Sequence, residues 1–171
     1  MREPARILSC VIHDLSIRAV TSSDLEALVS LTGSRDRALV RLQAAQHGDD
    51  SMLVAVRSST VVGVESIRWR DGCDAPHPWL YGLEVAAGLR RQGMGRALVL
   101  AAEVLSRQRG AGQLTLDVDT DDDAASAFYS ALGYTVARPH RHHWRSLDPH
   151  TGAVVAEGYA PTLIMRRALC R

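Results

Sequence analysis

The chain has 171 residues and a formal net charge of +1, which suits one domain and gives no global case for nucleic-acid or membrane binding. Apolar residues make up 46% and charged residues 23%, enough for a proper core under a polar surface. No apolar run approaches the ~20 residues of a membrane span.

Every basic residue is an arginine, and asparagine is absent as well. We read this as the coding bias of a GC-rich genome. Cys10, Cys73 and Cys170 are widely spaced and odd in number, so they form no metal pattern and no disulfide framework. A reducing cytoplasm is expected. Residues 1–15 carry arginines and a short apolar run, but also Glu3 and Asp14, and no small-residue cleavage site. They read as an untargeted leader or an extra edge segment.

In chain order, Ser16 to Val20 reads as a short strand. Thr21 to Asp24 offers helix caps, and Leu25, Leu28, Val29 and Leu31 fall at helical spacing up to Gly33. Arg35 to Gln46 gives a second helix. Met52 to Val56 and Val61 to Trp69 are strands around a four-residue turn, a hairpin. Asp71 to Pro78 is a loop. Trp79 to Val85 is a strand entering a glycine turn, and Met94 to Arg109 is a helix with Leu98, Ala101, Ala102 and Leu105 on its buried stripe. Gln113 to Val118 is a strand, Asp119 to Asp123 an acidic turn and Ala124 to Leu132 a short helix. Tyr134 starts a strand running to Leu147. After a turn, Val154 to Tyr159 returns, and Thr162 to Leu169 is the last strand. No repeat, low-complexity tract or linker divides the chain. The order is β-α-α-β-β-β-α-β-α-β-β.

Two stretches carry chemistry. The first is Arg90-Arg91-Gln92-Gly93-Met94-Gly95, between a strand and a helix start. Such a turn aims main-chain N–H groups at one spot beside the positive end of the helix dipole, which suits an anion such as a pyrophosphate. The dinucleotide pattern G-x-G-x-x-G/A fails at Leu98, and a P-loop needs a lysine that the chain lacks. The second is the strand Leu114 to Val118 followed by Asp122-x-x-Ala125-x-x-x-Tyr129-x-x-Leu132-Gly133-Tyr134.

The first stretch resembles the R-x-x-G-x-G acyl-coenzyme A motif of the GNAT family of N-acetyltransferases. The second is similar to that family's N-x-x-A-x-x-x-Y-x-x-L-G-F. The chain departs from the pattern at Asp122, where the family has Asn, which puts that side chain's bond to the cofactor arm in question. In element order the resemblance covers Ser16 to Leu169, and in detail Leu83 to Tyr134.

The resemblance implies an α/β (α+β) fold over 1–171. Its mixed, bent sheet would have six to seven strands, with a splay between two central parallel strands and about four flanking helices. It implies acetyl-CoA as co-substrate, with its arm lying in the splay like an extra strand. Leu83 and Val85 would supply backbone to the arm. The amides of Arg91, Gln92, Gly93, Met94, Gly95 and Arg96 would hold the pyrophosphate, and Arg90, Arg91 or Arg96 would add charge. Asp122, Ala125 and Tyr129 complete the cofactor-facing set. Tyr129 falls where the family places the acid that protonates the leaving thiolate. Asp117 and Glu84 are the candidates for general base, directly or through water, against the plainer reading of solvated strand carboxylates. Glu65 and Tyr81 border the expected cleft. A main-chain N–H, at Val85, would meet the developing oxyanion.

No cysteine lies in the matched motif, so direct attack of a primary amine in a ternary complex is expected. The acceptor is open between small molecules and protein or peptide amines. The alternative is a non-catalytic acyl-CoA-binding regulatory module; an enzyme using a longer acyl group is a further rival. Dimers are common in the family. No nucleic-acid, membrane or metal partner is expected. The acidic run from Asp117 fails as a calcium loop, because the required Gly and Glu positions are Asp122 and Phe128. His140 to His143 reads as a polar hairpin face, with His143, Trp144 and Tyr159 in reach of the acceptor.

Overall fold

The computed structural model describes residues 6–9, 14–70 and 76–169. The cysteine reading, the leader reading for residues 1–5 and 10–13, and loop residues 71–75 lie outside them.

Eight strands form one sheet: β1 Arg6–Ser9, β2 Leu15–Ala19, β3 Asp50–Arg57, β4 Thr60–Arg68, β5 Trp79–Val85, β6 Gln113–Asp119, β7 Thr135–Leu147 and β8 Val154–Ala168. Their spatial order is β1-β2-β3-β4-β5-β6-β8-β7. The strand count exceeds the expected six to seven because Arg6–Ser9 pairs antiparallel with β2 at the edge. Four α-helices flank the sheet: α1 Leu25–Thr32, α2 Arg35–His47, α3 Met94–Gln108 and α4 Asp123–Ala131. No helix of the described residues is long and apolar enough to cross a membrane.

Strand alternation separates two cores. On one face Ile17, Leu53, Ile67, Leu80, Leu114, Leu116 and Met165 pack against Leu98, Ala101 and Ala102 of α3. On the other, Met52, Val54 and Val64 pack against Leu28 of α1 and Ala38 of α2. The β3–β4 hairpin closes through Ser58 and Ser59, whose φ values of 47° and 65° suit the tight turn that follows strand twist.

The returning segment and the last strand are one continuous β8, unbroken by Pro161. The Pro161 carbonyl accepts from Thr120 N at 3.2 Å, just past the end of β6. A residue's N–H and C=O point the same way along a strand, so the missing N–H faces Thr120, one residue past β6, and the proline interrupts neither the ladder with Gln113–Asp119 nor the pairing with β7. The β7–β8 hairpin therefore runs on past β6, with pairs from Thr135–Arg166 to Leu147–Val154. It arches over α2, where Gln43 Nε2 donates to Pro149 O at 3.1 Å.

Candidate active site

All neighbouring strands are antiparallel except β5 and β6. These two are parallel and meet at a single pair, Trp79 with Thr115. Beyond it they part. On its other edge β5 follows β4 with an irregularity: Val64 faces Glu84 and Ser66 faces Tyr81, so Gly82 and Leu83 together oppose Glu65. That is a β-bulge, and Gly82 takes the positive φ of 62° that it needs. The extra residue resets the alternation. Leu80, Leu83 and Val85 all turn to the α3 face, while Tyr81 packs with Trp79 on the other. Ala86 N donates back to Val62 O at 2.9 Å, so the main-chain groups of Val85 and Leu83 face the gap. Arg90 Nε reaches the Val85 carbonyl at 3.1 Å.

The glycine turn stands at the mouth of this gap. Gly93, with φ 87°, precedes α3, whose first turn has no side-chain cap and no acidic residue. Its orphan N–H groups thus point outward, unsatisfied by the protein. Arg90, Arg91 and Arg96 are exposed around it. Gln92 is held from both sides, accepting from Arg57 Nη1 at 3.1 Å and donating to Gly88 O at 3.3 Å. A side chain at Gly95 would meet Phe128 Cζ at 3.5 Å and Leu83 Cδ2 at 3.8 Å, so α4 and β5 converge on the turn.

Tyr129 sits on α4 beside that convergence, edge-on to Phe128 at 5.0 Å and to Tyr134 at 5.7 Å between ring centroids. Burial pushes its phenol above the ordinary range, with the charges of Glu65, Asp117 and Asp122 adding to the effect. Asp122 caps α4, accepting from Ala125 N at 2.8 Å.

On the opposite face of the sheet a cavity of about 470 Å³ opens between α2 and the β7–β8 hairpin. Its floor is β5, where Trp79 and Tyr81 stack at 5.0 Å and Glu84 follows. Arg37 and Arg41 line the α2 side, and His142, His143 and Trp144 the hairpin side. Arg41 is buried and ties the bulge together: it donates to Gly82 O at 2.9 Å, to Ser66 Oγ at 3.0 Å and to Glu84 Oε1 at 3.1 Å. Desolvation pushes the Glu84 carboxyl up, against the pull of Arg41. Tyr81 donates to the buried Asp50 carboxylate, which Arg68 also holds at 3.0 Å. Burial, then Asp50, pushes the Tyr81 phenol up to about 12.

A family model described as the acetyltransferase (GNAT) family matches residues 19–134. The chain belongs to the GNAT acetyltransferase family. A mycothiol acetyltransferase from Thermobispora bispora is 36% identical over 85 residues, 48% of this chain and 29% of that protein. The ribosomal protein bS18-alanine N-acetyltransferase of Escherichia coli is 32% identical over 76 residues, 44% of this chain and 51% of that one. The matches thus span about half or less of these relatives. An acetyltransferase from Salmonella typhimurium, solved with its cofactor acetyl-CoA, superposes with a TM-score of 0.68 at 18% identity, over 93% of this chain and 96% of that one. The paia N-acetyltransferase from Thermoplasma acidophilum, in complex with coenzyme A, does so at 0.66 and 19%, over 90% and 98%. At these identities the likeness is one of fold.

In this GNAT domain the residues singled out from the sequence fall into three groups. Leu83, Val85, the turn from Arg90 to Arg96, Ala125 and Tyr129 gather around the gap and its mouth. Glu84 lines the cavity but is bound to Arg41, and Asp117 does not line it. Glu65 faces away from the cavity, toward α3, fully buried and with neither carboxylate oxygen bonded. His143 and Trp144 line the cavity, whereas Tyr159 is 59% exposed on the hairpin and stacks on His143 at 4.7 Å. Among the described residues no group of three or more His, Cys, Asp or Glu could hold a metal ion.

Sequence reasoning missed Arg41, Gly82, Trp79 and His142. Two signals were present. Arg41 interrupts the buried stripe of α2 between Ala38 and Leu42, and a lone glycine inside a strand pattern marks a bulge or a close approach.

Proposed function

We propose that this chain transfers the acetyl group of acetyl-CoA to a primary amine of a small molecule or a peptide, by direct attack in a ternary complex. The observation that carries the reading is the parting of β5 from β6 immediately after Trp79 and Thr115, with an uncapped helix N-terminus at its mouth. The main-chain groups of Leu83 and Val85 that face the gap, the Val85 carbonyl held by Arg90 Nε, match the amides of an extended pantetheine arm. The exposed first-turn N–H groups of α3 and the nearby arginines suit its pyrophosphate. When bound, acetyl-CoA supplies an activated acyl group as a thioester.

The two faces of the gap then divide the work. Tyr129, on the α3 face, holds a phenolic proton for the departing sulfur. The cavity on the other face admits the amine. The Val85 N–H faces the gap between them, positioned to steady the carbonyl oxygen as charge develops.

Gly95→Glu tests the cofactor half. The new Cβ meets Phe128 only at ordinary contact distance, so the fold tolerates it, while a carboxylate enters the anion site. Calorimetry with coenzyme A should give a Kd raised by roughly tenfold or more, ~1.4 kcal/mol. Unchanged affinity would remove the turn from the site. Thiol release with an amine panel tests the chemistry; tight coenzyme A binding without turnover would favour an acyl-CoA-binding regulatory module.

A further inference from the structure

Asp117 lies behind the cavity wall, and an imidazole stands between it and the cavity. His142 lines the cavity from β7, and its Nδ1 is 3.3 Å from Asp117 Oδ2 on β6. Nδ1 is sealed from solvent and makes no hydrogen bond in this structure, and Asp117 Oδ2, at 3.3 Å, is the acceptor within its reach. Nε2 bonds no described residue and is not sealed. The ring is fixed from the side by Trp79, at 5.5 Å between centroids. The other groups on the cavity are spent or solvated. Glu84 is held by Arg41, Tyr81 by Asp50, and His143 Nε2 by Glu157 at 3.0 Å. Asp36 is exposed in the first turn of α2.

We propose that His142 Nε2 is the general base that takes the proton from the acceptor amine, and that Asp117 is the positioning residue that fixes its tautomer. The inference rests on the acetyl-transfer reading above. An imidazole suits the task because its ordinary pKa of ~6.5 lies nearer the working pH than that of a carboxylate. Asp117 accepts from Nδ1–H, which leaves the Nε2 lone pair turned to the cavity. The amine nitrogen bonds to the acyl carbon as the C–S bond breaks. The amine's proton goes to His142 Nε2 and the Tyr129 proton to sulfur. Solvent then removes the first and restores the second, so no net charge is created. The two proton carriers stand on opposite faces of the sheet, one on each side of the gap between β5 and β6. Beyond Asp117, His140 faces His142 from its own strand, and the other charged or titratable groups lining the cavity are Asp36, Arg37, Arg41, Arg68, Tyr81, Glu84, His143 and Arg145.

The test has two readouts. Nitrogen NMR of the imidazole side chains should show His142 as the Nδ1–H tautomer in the wild type and a mixture in Asp117→Asn. A wild-type Nε2–H tautomer overturns the proposal whether or not any amine is acetylated. With an accepted amine, His142→Gln should lower kcat/KM by roughly 10²- to 10⁴-fold. It should also lose the acid limb of the kcat/KM–pH profile, with calorimetric coenzyme A affinity retained. Asp117→Asn should keep a shifted limb. Full activity of His142→Gln with an intact limb overturns the assignment. Absence of turnover in the wild type, despite the expected tautomer, overturns the acetyl-transfer reading and the catalytic role with it.

Discussion

The guanidinium of Arg41 lies flat against the Cα of Gly82, and its Nη2 donates to the Gly82 carbonyl at 2.9 Å. A helix on one side of the sheet thereby pins the bulge that reorders β5. A Cβ at position 82 would stand 2.7 Å from Arg41 Cζ. The bulge, the ion pair to Glu84 and the direction of Leu83 and Val85 all depend on the absence of that one carbon.

Gly82→Ala should therefore be costly. The residue has φ 62°, which an L side chain resists, and the guanidinium would have to leave Ser66 and Glu84 to make room. The expected loss is roughly 1–3 kcal/mol, the range for backbone strain at a sparsely populated φ. Urea denaturation would measure it. A melt superposable on wild type would mean that Arg41 does not hold the bulge.

Much of this architecture was readable from residue order, because the elements are set by local periodicity and their ends by glycines. The strand from Trp79 to Val85 and the start of α3 at Met94 came out with the expected bounds. Pairing distances between remote residues are another matter. Nothing local to Asp117 announces His142, twenty-five positions on, because it takes both the β6–β8–β7 order and the arch of the β7–β8 hairpin to bring them together. Nor does Pro161 read as strand interior until the end of β6 beside it is known. The face assignment on β5 required the bulge, since strict alternation would put Leu80 and Leu83 on opposite sides.

Asp122 separates a structural from a cofactor role. Its Oδ1 accepts from Ala125 N at 2.8 Å, a cap worth about 1 kcal/mol. Asp122→Asn keeps an acceptor oxygen and should melt within a degree or two of wild type. Asp122→Ala should lose the cap, read as a lowered Tm. If coenzyme A affinity falls in Asp122→Ala but not in Asp122→Asn, the same side chain also serves the cofactor arm. Equal affinity in both variants confines it to capping.

Tyr129→Phe removes one oxygen from a ring whose packing against Phe128 and Tyr134 is otherwise kept. If the phenol supplies the proton to sulfur, kcat should fall by roughly 10²-fold or more while KM for either substrate changes little. Steady-state kinetics on an accepted amine would show it. An unchanged kcat would remove the phenol from the acid role and leave Tyr129 as a wall of the gap.

Glu65 should leave its mark on stability as a function of pH. Burial raises its folded-state pKa well above the ordinary carboxylate value; Arg41 pulls against this and Glu103 adds to it. The folded protein therefore holds this proton more tightly than the unfolded chain does. The resulting stability is complete below the unfolded value, ~4.3, and is lost as pH climbs from there toward the folded value. The slope inside that window is at most about 1.4 kcal/mol per pH unit. A glutamine has the shape of the neutral acid at every pH. Glu65→Gln should thus match the wild-type Tm near pH 4.5 and exceed it increasingly toward pH 8. Every other titrating group is common to both proteins, so the difference between the two Tm–pH curves isolates this one. Parallel curves across the range would mean that the Glu65 carboxyl is ionised in the folded state and has a counter-charge beside it.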